Sequence, residues 1–113
     1  MKQIRVLLIE DHFLARIALH SVLSGHSQIL IVGEASDGES GVAMYRSLRP
    51  DVVVLDLRLP RVSGFDVIVQ IRREFQNARI VVLSNADEMV NTARSEWHFI
   101  AVDIEADLNR LRG

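Results

Sequence analysis

Three acidic residues stand at the ends of short apolar runs. Glu10 and Asp11 follow IRVLLI (Ile4 to Ile9), and Asp56 closes VVVLD (Val52 to Asp56). A hydroxyl, Ser84, closes IVVLS from Ile80 in the same manner. Runs of this length, rich in β-branched side chains, have the character of strands covered on both faces. Should the first and third be neighbours, three carboxylates meet in one cleft. Like charges so placed raise at least one pKa unless a cation joins them. Hard oxygen ligands suit Mg²⁺, which is held by one or two carboxylates and waters. An aspartate beside that ion can act as nucleophile toward a phosphoryl group, with Ser84 hydrogen-bonding one of its oxygens. Taken singly, each acid reads as a solvated strand end. Their meeting point is what carries chemistry.

The elements between these residues decide whether they meet. Phe13 to Ser24 has helical spacing, with Phe13 and Ile17, and Leu14, Ala18 and Val22, three to four apart, and Gly25 stops it. Ile29 to Val32 reads as a second strand. Asp37 caps a second helix with the stripe Val42, Tyr45 and Leu48, ended by Pro50. After Asp56, LRLPRVSG is a loop. Phe65 to Phe75 is a third helix with Val67, Ile68 and Ile71 inward. Ile80 to Ser84 is a fourth strand, Ala86 to Ser95 a weaker, polar helix, Phe99 to Val102 a fifth strand, and Glu105 to Leu111 a short last helix. Strands alternating with helices specify an α/β fold with a doubly wound parallel sheet. For five strands with right-handed crossovers the flavodoxin-like order 2-1-3-4-5 is expected, as a single domain over residues 1–113. That order makes strands 1 and 3 neighbours at the switch point, where ligands bind in such folds.

These residues resemble the receiver domain of bacterial two-component response regulators. The acid pair Glu10-Asp11, Asp56 in VVVLDLRLP, Pro60, Gly64 and Ser84 after IVVL match the motif of that family in order. IRVLLIEDH, IVGEASDGESGV and LRPDVVVLDLRLP are most similar to the NarL/FixJ subgroup, whose members usually carry a C-terminal DNA-binding helix-turn-helix. The resemblance implies that Asp56 accepts phosphate from a sensor histidine kinase, a phosphotransfer protein or a small phosphodonor. It implies that Asp11 binds Mg²⁺ directly, Glu10 largely through water, and the Arg58 backbone carbonyl as a further ligand. Ser84 would contact the phosphoryl group, and Phe99 would be the switch aromatic that follows it. Signalling rather than turnover is implied, with a changed surface or a homodimer as output and a cytoplasmic setting. His12 reads as a helix-start residue rather than a ligand, and His20 and His26 as surface residues.

The chain also departs from the pattern. The family places a lysine three residues after the switch aromatic, and Val102 stands there. The only lysine among the 113 residues is Lys2, against 12 arginines. It precedes the first strand, about 25 Å from the cleft at ~3.3 Å per residue. Arg58 and Arg94 are the candidate replacements, although a guanidinium differs in size and shape from an ammonium. The stretch between Ser84 and Phe99 is short, so helix 4 is expected to be shortened or displaced. A second reading follows from these departures: a receiver-fold binding or dimerisation module whose output is independent of phosphorylation. An independent enzyme fits less well, because Arg58 stands where haloacid-dehalogenase-like phosphatases carry a second aspartate, and no flavodoxin-like phosphate loop follows the first strand. Composition excludes more. A net charge of −2 with no basic run argues against direct nucleic-acid binding. No apolar run approaches the roughly 20 residues of a membrane span. With no cysteine there is no thiolate or disulfide chemistry.

Overall fold

The structure, a computed structural model, describes residues 2–83. Within them strands and helices alternate: β1 (Ile4–Ile9), α1 (Phe13–Ser24), β2 (Ile29–Ala35), α2 (Gly38–Leu48), β3 (Val52–Asp56), α3 (Gly64–Glu74) and β4 (Ile80–Leu83). The strands are parallel in the order β2-β1-β3-β4, as the pattern of apolar runs predicts for this part of the sheet. The expected fifth strand, the altered fourth helix, the short last helix, and with them Ser84, Arg94, Phe99 and Val102, lie outside the described residues.

Alternation along β1 and β3 divides the interior in two. Leu7, Ile9, Val53 and Leu55 point to one face, where Val42 and Tyr45 of α2 and Val67 and Ile71 of α3 close over them. Ile4, Val6, Leu8, Val52 and Val54 point to the other, with Leu19 and Leu23 of α1 packed against them. Leu7, Ile9, Val53, Leu55 and Val67 are wholly inaccessible to water. Each such side chain contributes about 1.5–3 kcal/mol of burial, so the central strands hold the cleft at their ends in place.

Helix ends follow local chemistry. The Asp37 carboxylate accepts from the Ser40 backbone N–H at 2.8 Å, capping α2 as expected. Ser63 caps α3 by accepting from the Asp66 N–H at 3.2 Å, and Asp66 itself suits the positive end of the helix. At its far end α2 closes on Arg49 in the left-handed region (φ 47°) just before Pro50. The Arg49 side chain lies over the Phe75 ring at 4.1 Å, and its carbonyl accepts from the Arg5 guanidinium at 2.9 Å, which holds that conformation.

One strand boundary needs correction, and α1 shows two features that its spacing does not settle. The residues whose spacing marks α1 as a helix do not all turn to the sheet: Phe13, Leu14, Ile17 and Val22 are exposed, and Leu19 and Leu23 make the contact. This helix is apolar on most of its circumference, so two stripes compete, and attachment to the sheet selects the one that meets Val6 and Leu8. Gly25 ends α1 as expected, in right-handed conformation (φ −68°) with its N–H bonded to the Ser21 carbonyl. β2 runs three residues beyond Val32, to Ala35, because Leu8 and Ile9 offer it a ladder that Gly33 and Glu34 alone would not advertise.

Candidate functional site

The parallel register builds the cleft. Ile9 is level with Leu55, so the next residues, Glu10 and Asp56, stand side by side where the strands end. Alternation puts both on the α1 side, in step with Leu8 and Val54. The Glu10 N–H continues the ladder to the Ala35 carbonyl at 3.0 Å, and the Leu57 N–H continues it to Leu83 at 3.5 Å. The backbone is therefore still regular where the acids begin. One Asp56 oxygen accepts from the Arg58 N–H at 3.0 Å, which turns the chain sharply after the strand.

Glu10, Asp11, His12 and Asp56 each bring a ligating atom into one cluster, with no pair of those atoms more than 4.8 Å apart. Glu10 is 5% exposed, and its Oε2, like Oδ1 of Asp11, is buried and lacks a hydrogen-bond donor. Ionised carboxylates are acceptors only, so two neighbouring acids cannot satisfy each other without a shared proton or a cation. Burial, then a side-chain hydrogen bond to Asp56, then the charges of Asp56 and Asp11 push the Glu10 carboxyl up to about 8, against the pull of Arg16. Converging, undersatisfied oxygens of this kind fit a hard divalent cation.

Arg16, one turn into α1, ties the helix to the cleft. Its Nη1 donates to the Glu10 carbonyl at 3.0 Å, and its Nε lies 3.8 Å from the Glu34 carboxylate of β2. Glu34 in turn meets His20 Nδ1 at 3.0 Å. Sequence reading did not single out Arg16; its place one helical turn after the acid pair was the available signal.

Beneath Asp56 lies Gly64, the first residue of α3. A Cβ there would stand 2.5 Å from the Asp56 carbonyl oxygen and 2.6 Å from the Leu57 Cα. The sequence places this glycine at the end of a loop, and the structure gives the reason for it, since α3 begins against the backbone that carries Asp56.

The sequence-predicted site residues thus divide. Glu10, Asp11 and Asp56 come together, and Arg58 contributes a backbone N–H to Asp56. Ser84 and Phe99 lie outside the described residues. His12, read as a helix-start residue, is indeed the N-cap of α1, yet its side chain makes no cap bond. Its Nδ1 lies instead 3.2 Å from Asp11 Oδ1 and 3.6 Å from Glu10 Oε1. Lys2 is exposed and precedes β1, at the other end of the sheet.

Comparison with known proteins agrees with this geometry. The family model described as the response regulator receiver domain matches residues 6–103. The nitrate/nitrite response regulator protein NarL of Escherichia coli K12 is 40% identical over 106 residues, covering 90% of this chain and 49% of that protein. The transcriptional regulatory protein LiaR of Bacillus subtilis is 42% identical over 82 residues, 73% of this chain and 39% of that protein. The chain thus spans about half the length of the curated relatives it matches, or less. A two-component response regulator of the LuxR family from Aurantimonas superposes with a TM-score of 0.74 at 26% identity, over 91% of this chain and 69% of the other. Among the described residues no helix is long and apolar enough to cross a membrane. With the sheet order, the acid cluster and these matches in agreement, the chain belongs to the response regulator receiver domain family.

Proposed function

We propose that Asp56 is a phosphoacceptor and that the domain relays its state to an output, most simply transcription as in the regulators it is similar to. The supporting observation is the cluster of Glu10, Asp11 and Asp56, in which a buried Glu10 oxygen has no protein donor, a donor set that suits a cation. A carboxylate oxygen of Asp56 attacks the phosphorus, the bond to the donor's imidazole nitrogen or leaving oxygen breaks, and the donor keeps the electron pair. Glu10, Asp11, Asp56 and the Arg58 carbonyl would hold Mg²⁺, which supplies positive charge to the incoming phosphoryl oxygens. The Arg58 N–H holds one Asp56 oxygen and leaves the other to react. Ser84 contacts the phosphoryl group and Phe99 follows it. The phosphodonor is a sensor histidine kinase or phosphotransfer protein, in a cytoplasmic setting, and the protein is a signalling partner, not a turnover enzyme.

The test is incubation of the full chain with a small phosphodonor and Mg²⁺, read by intact mass. A gain of one phosphoryl group is expected, requiring Mg²⁺ and lost in Asp56→Asn. No gain at saturating donor would refute this function.

A second reading, an interaction module that ignores phosphate, is favoured by one observation besides Val102: α1 carries Phe13, Leu14, Ile17 and Val22 on an exposed face. Beryllofluoride, which mimics the phosphoryl group, separates the two. An oligomeric state unchanged by beryllofluoride and Mg²⁺ supports the module, and a shift supports the switch.

A further inference from the structure

The side chain of His12 stands in the acid cluster without serving the helix it caps. It makes no capping bond, its ring is largely exposed, and yet Nδ1 is turned back onto the two acids that precede it. We propose that His12 is a direct ligand of the cation site, making it a mixed imidazole–carboxylate centre that takes imidazole-preferring divalent ions, of which Co²⁺ is the probe, as well as Mg²⁺. This rests on the reading of Glu10, Asp11 and Asp56 as a cation site and adds a ligand to it.

The spacing of the donor atoms is the first argument. Around an ion with bonds of about 2.1 Å, adjacent ligand atoms lie roughly 3.0 Å apart in an octahedron and roughly 3.4 Å apart in a tetrahedron. His12 Nδ1 lies 3.2 Å from Asp11 Oδ1 and 3.6 Å from Glu10 Oε1, so these contacts match edges of one coordination polyhedron. No pair in the four-residue cluster exceeds 4.8 Å, within about half an ångström of the roughly 4.2 Å between opposite ligands. The second argument is independent of spacing. Glu10 is buried, and neither its Oε2 nor Asp11 Oδ1 has a protein donor, so once Glu10 is ionised a cation is what would satisfy both. The His12 contact with Glu10 is to Oε1, so it leaves Oε2 as it is. A metal ion would satisfy all of them at once.

The chemistry of the ligand set predicts the selectivity. Carboxylates and water suit Mg²⁺, whereas imidazole adds affinity for Co²⁺, Ni²⁺ and Zn²⁺ and little for Mg²⁺. His12 therefore sets which ion is held, and the carboxylates set that an ion is held.

The full chain, stripped of metal with a chelator, is titrated with Co²⁺ and followed by its visible absorption, which responds to the ligand set and its geometry. Mg²⁺ is then added in competition. His12→Gln is expected to weaken Co²⁺ by roughly tenfold or more, the loss typical of removing even an outer-shell partner. Mg²⁺ affinity should change less than about twofold. Asp56→Asn should weaken both ions, and His20→Gln, which removes the imidazole beside Glu34, should weaken neither. Co²⁺ affinity and spectrum unchanged in His12→Gln, with Mg²⁺ still competing, would overturn the role of His12 and leave the cation site standing. Binding of neither ion would overturn both, while failure of phosphorylation alone would leave the ligand assignment intact.

Discussion

Replacing Gly64 by alanine is the most direct probe of how the fold holds Asp56. The added Cβ would lie 2.5 Å from the Asp56 carbonyl oxygen, 2.6 Å from the Leu57 Cα and 3.1 Å from the Leu57 carbonyl oxygen, and all three are backbone atoms that no side-chain rotation can clear. Ordinary contact begins near 3.4 Å, so α3 and the end of β3 must part by about 0.9 Å, the difference between that distance and the shortest contact. Two structures resist. The Gly64 N–H bonds the Leu57 carbonyl at 3.0 Å, and three residues on, Val67 is fully buried against the sheet. Overpacking of this kind costs about 1–3 kcal/mol. For a chain of this size each kcal/mol lowers Tm by about 4–8 °C. The strain falls on Asp56 and Leu57, so Mg²⁺ affinity should weaken in the same variant. Gly25→Ala is the control: its Cβ would meet only the Val22 and Ser21 carbonyls at 3.4 and 3.6 Å, at a φ of −68° that alanine adopts freely. It should be neutral or stabilising by up to about 1 kcal/mol. Urea titration and Mg²⁺ calorimetry on both variants decide the matter. Should Gly64→Ala match Gly25→Ala in both measurements, the close approach of α3 to Asp56 is not what requires glycine.

Three further outcomes are expected. Because the Glu10 carboxyl is raised from 4.5 to about 8, the folded state holds a proton that the unfolded chain releases. This contribution to stability is full below the unfolded value and is lost as pH rises through about 8; urea midpoints of the metal-free protein should fall across that window. The slope should vanish in Glu10→Gln, and a slope identical in that variant would refute the assignment. Arg16→Ala removes the donor to the Glu10 carbonyl and a cation that favours ionised Glu10, so we expect about 1 kcal/mol lower stability and weaker Mg²⁺ binding, whereas unchanged Mg²⁺ affinity would make Arg16 merely structural. Asp37→Ala removes the α2 cap; since the Ser40 N–H holds this carboxyl below 3.8, the stability gap to wild type should be full above that value and close as pH falls through the depressed one. A thermal-melt gap that persists unchanged into strong acid would contradict the capping role.

Much of the molecule was legible residue by residue. Short apolar runs rich in β-branched residues marked β1 and β3 to the residue, because a strand buried on both faces admits little else. Asp37 before Gly38 and Glu39 marked the start of α2, since a short acceptor is what the free N–H groups of a first turn require. The acids at strand ends were legible once the strand order was, because order and parallel register together fix which ends are neighbours. What was hidden has a common cause. The inward face of α1 was not legible because Phe13, Leu14, Ile17, Leu19, Val22 and Leu23 cover most of a helix, and periodicity ranks stripes without saying which one meets a sheet.

The sequence by itself determined the fold class, the strand order of the described sheet and the three carboxylates that converge. These follow from composition, period and topology, which are properties of the chain read along its length. Only the tertiary structure decided that Glu10 is buried with an unsatisfied oxygen, that Arg16 reaches its carbonyl, that Gly64 is required for want of space, and that His12 turns back onto the acids. Each of these depends on the separation of two backbones or the direction of one side chain, and such distances are set by how the layers pack.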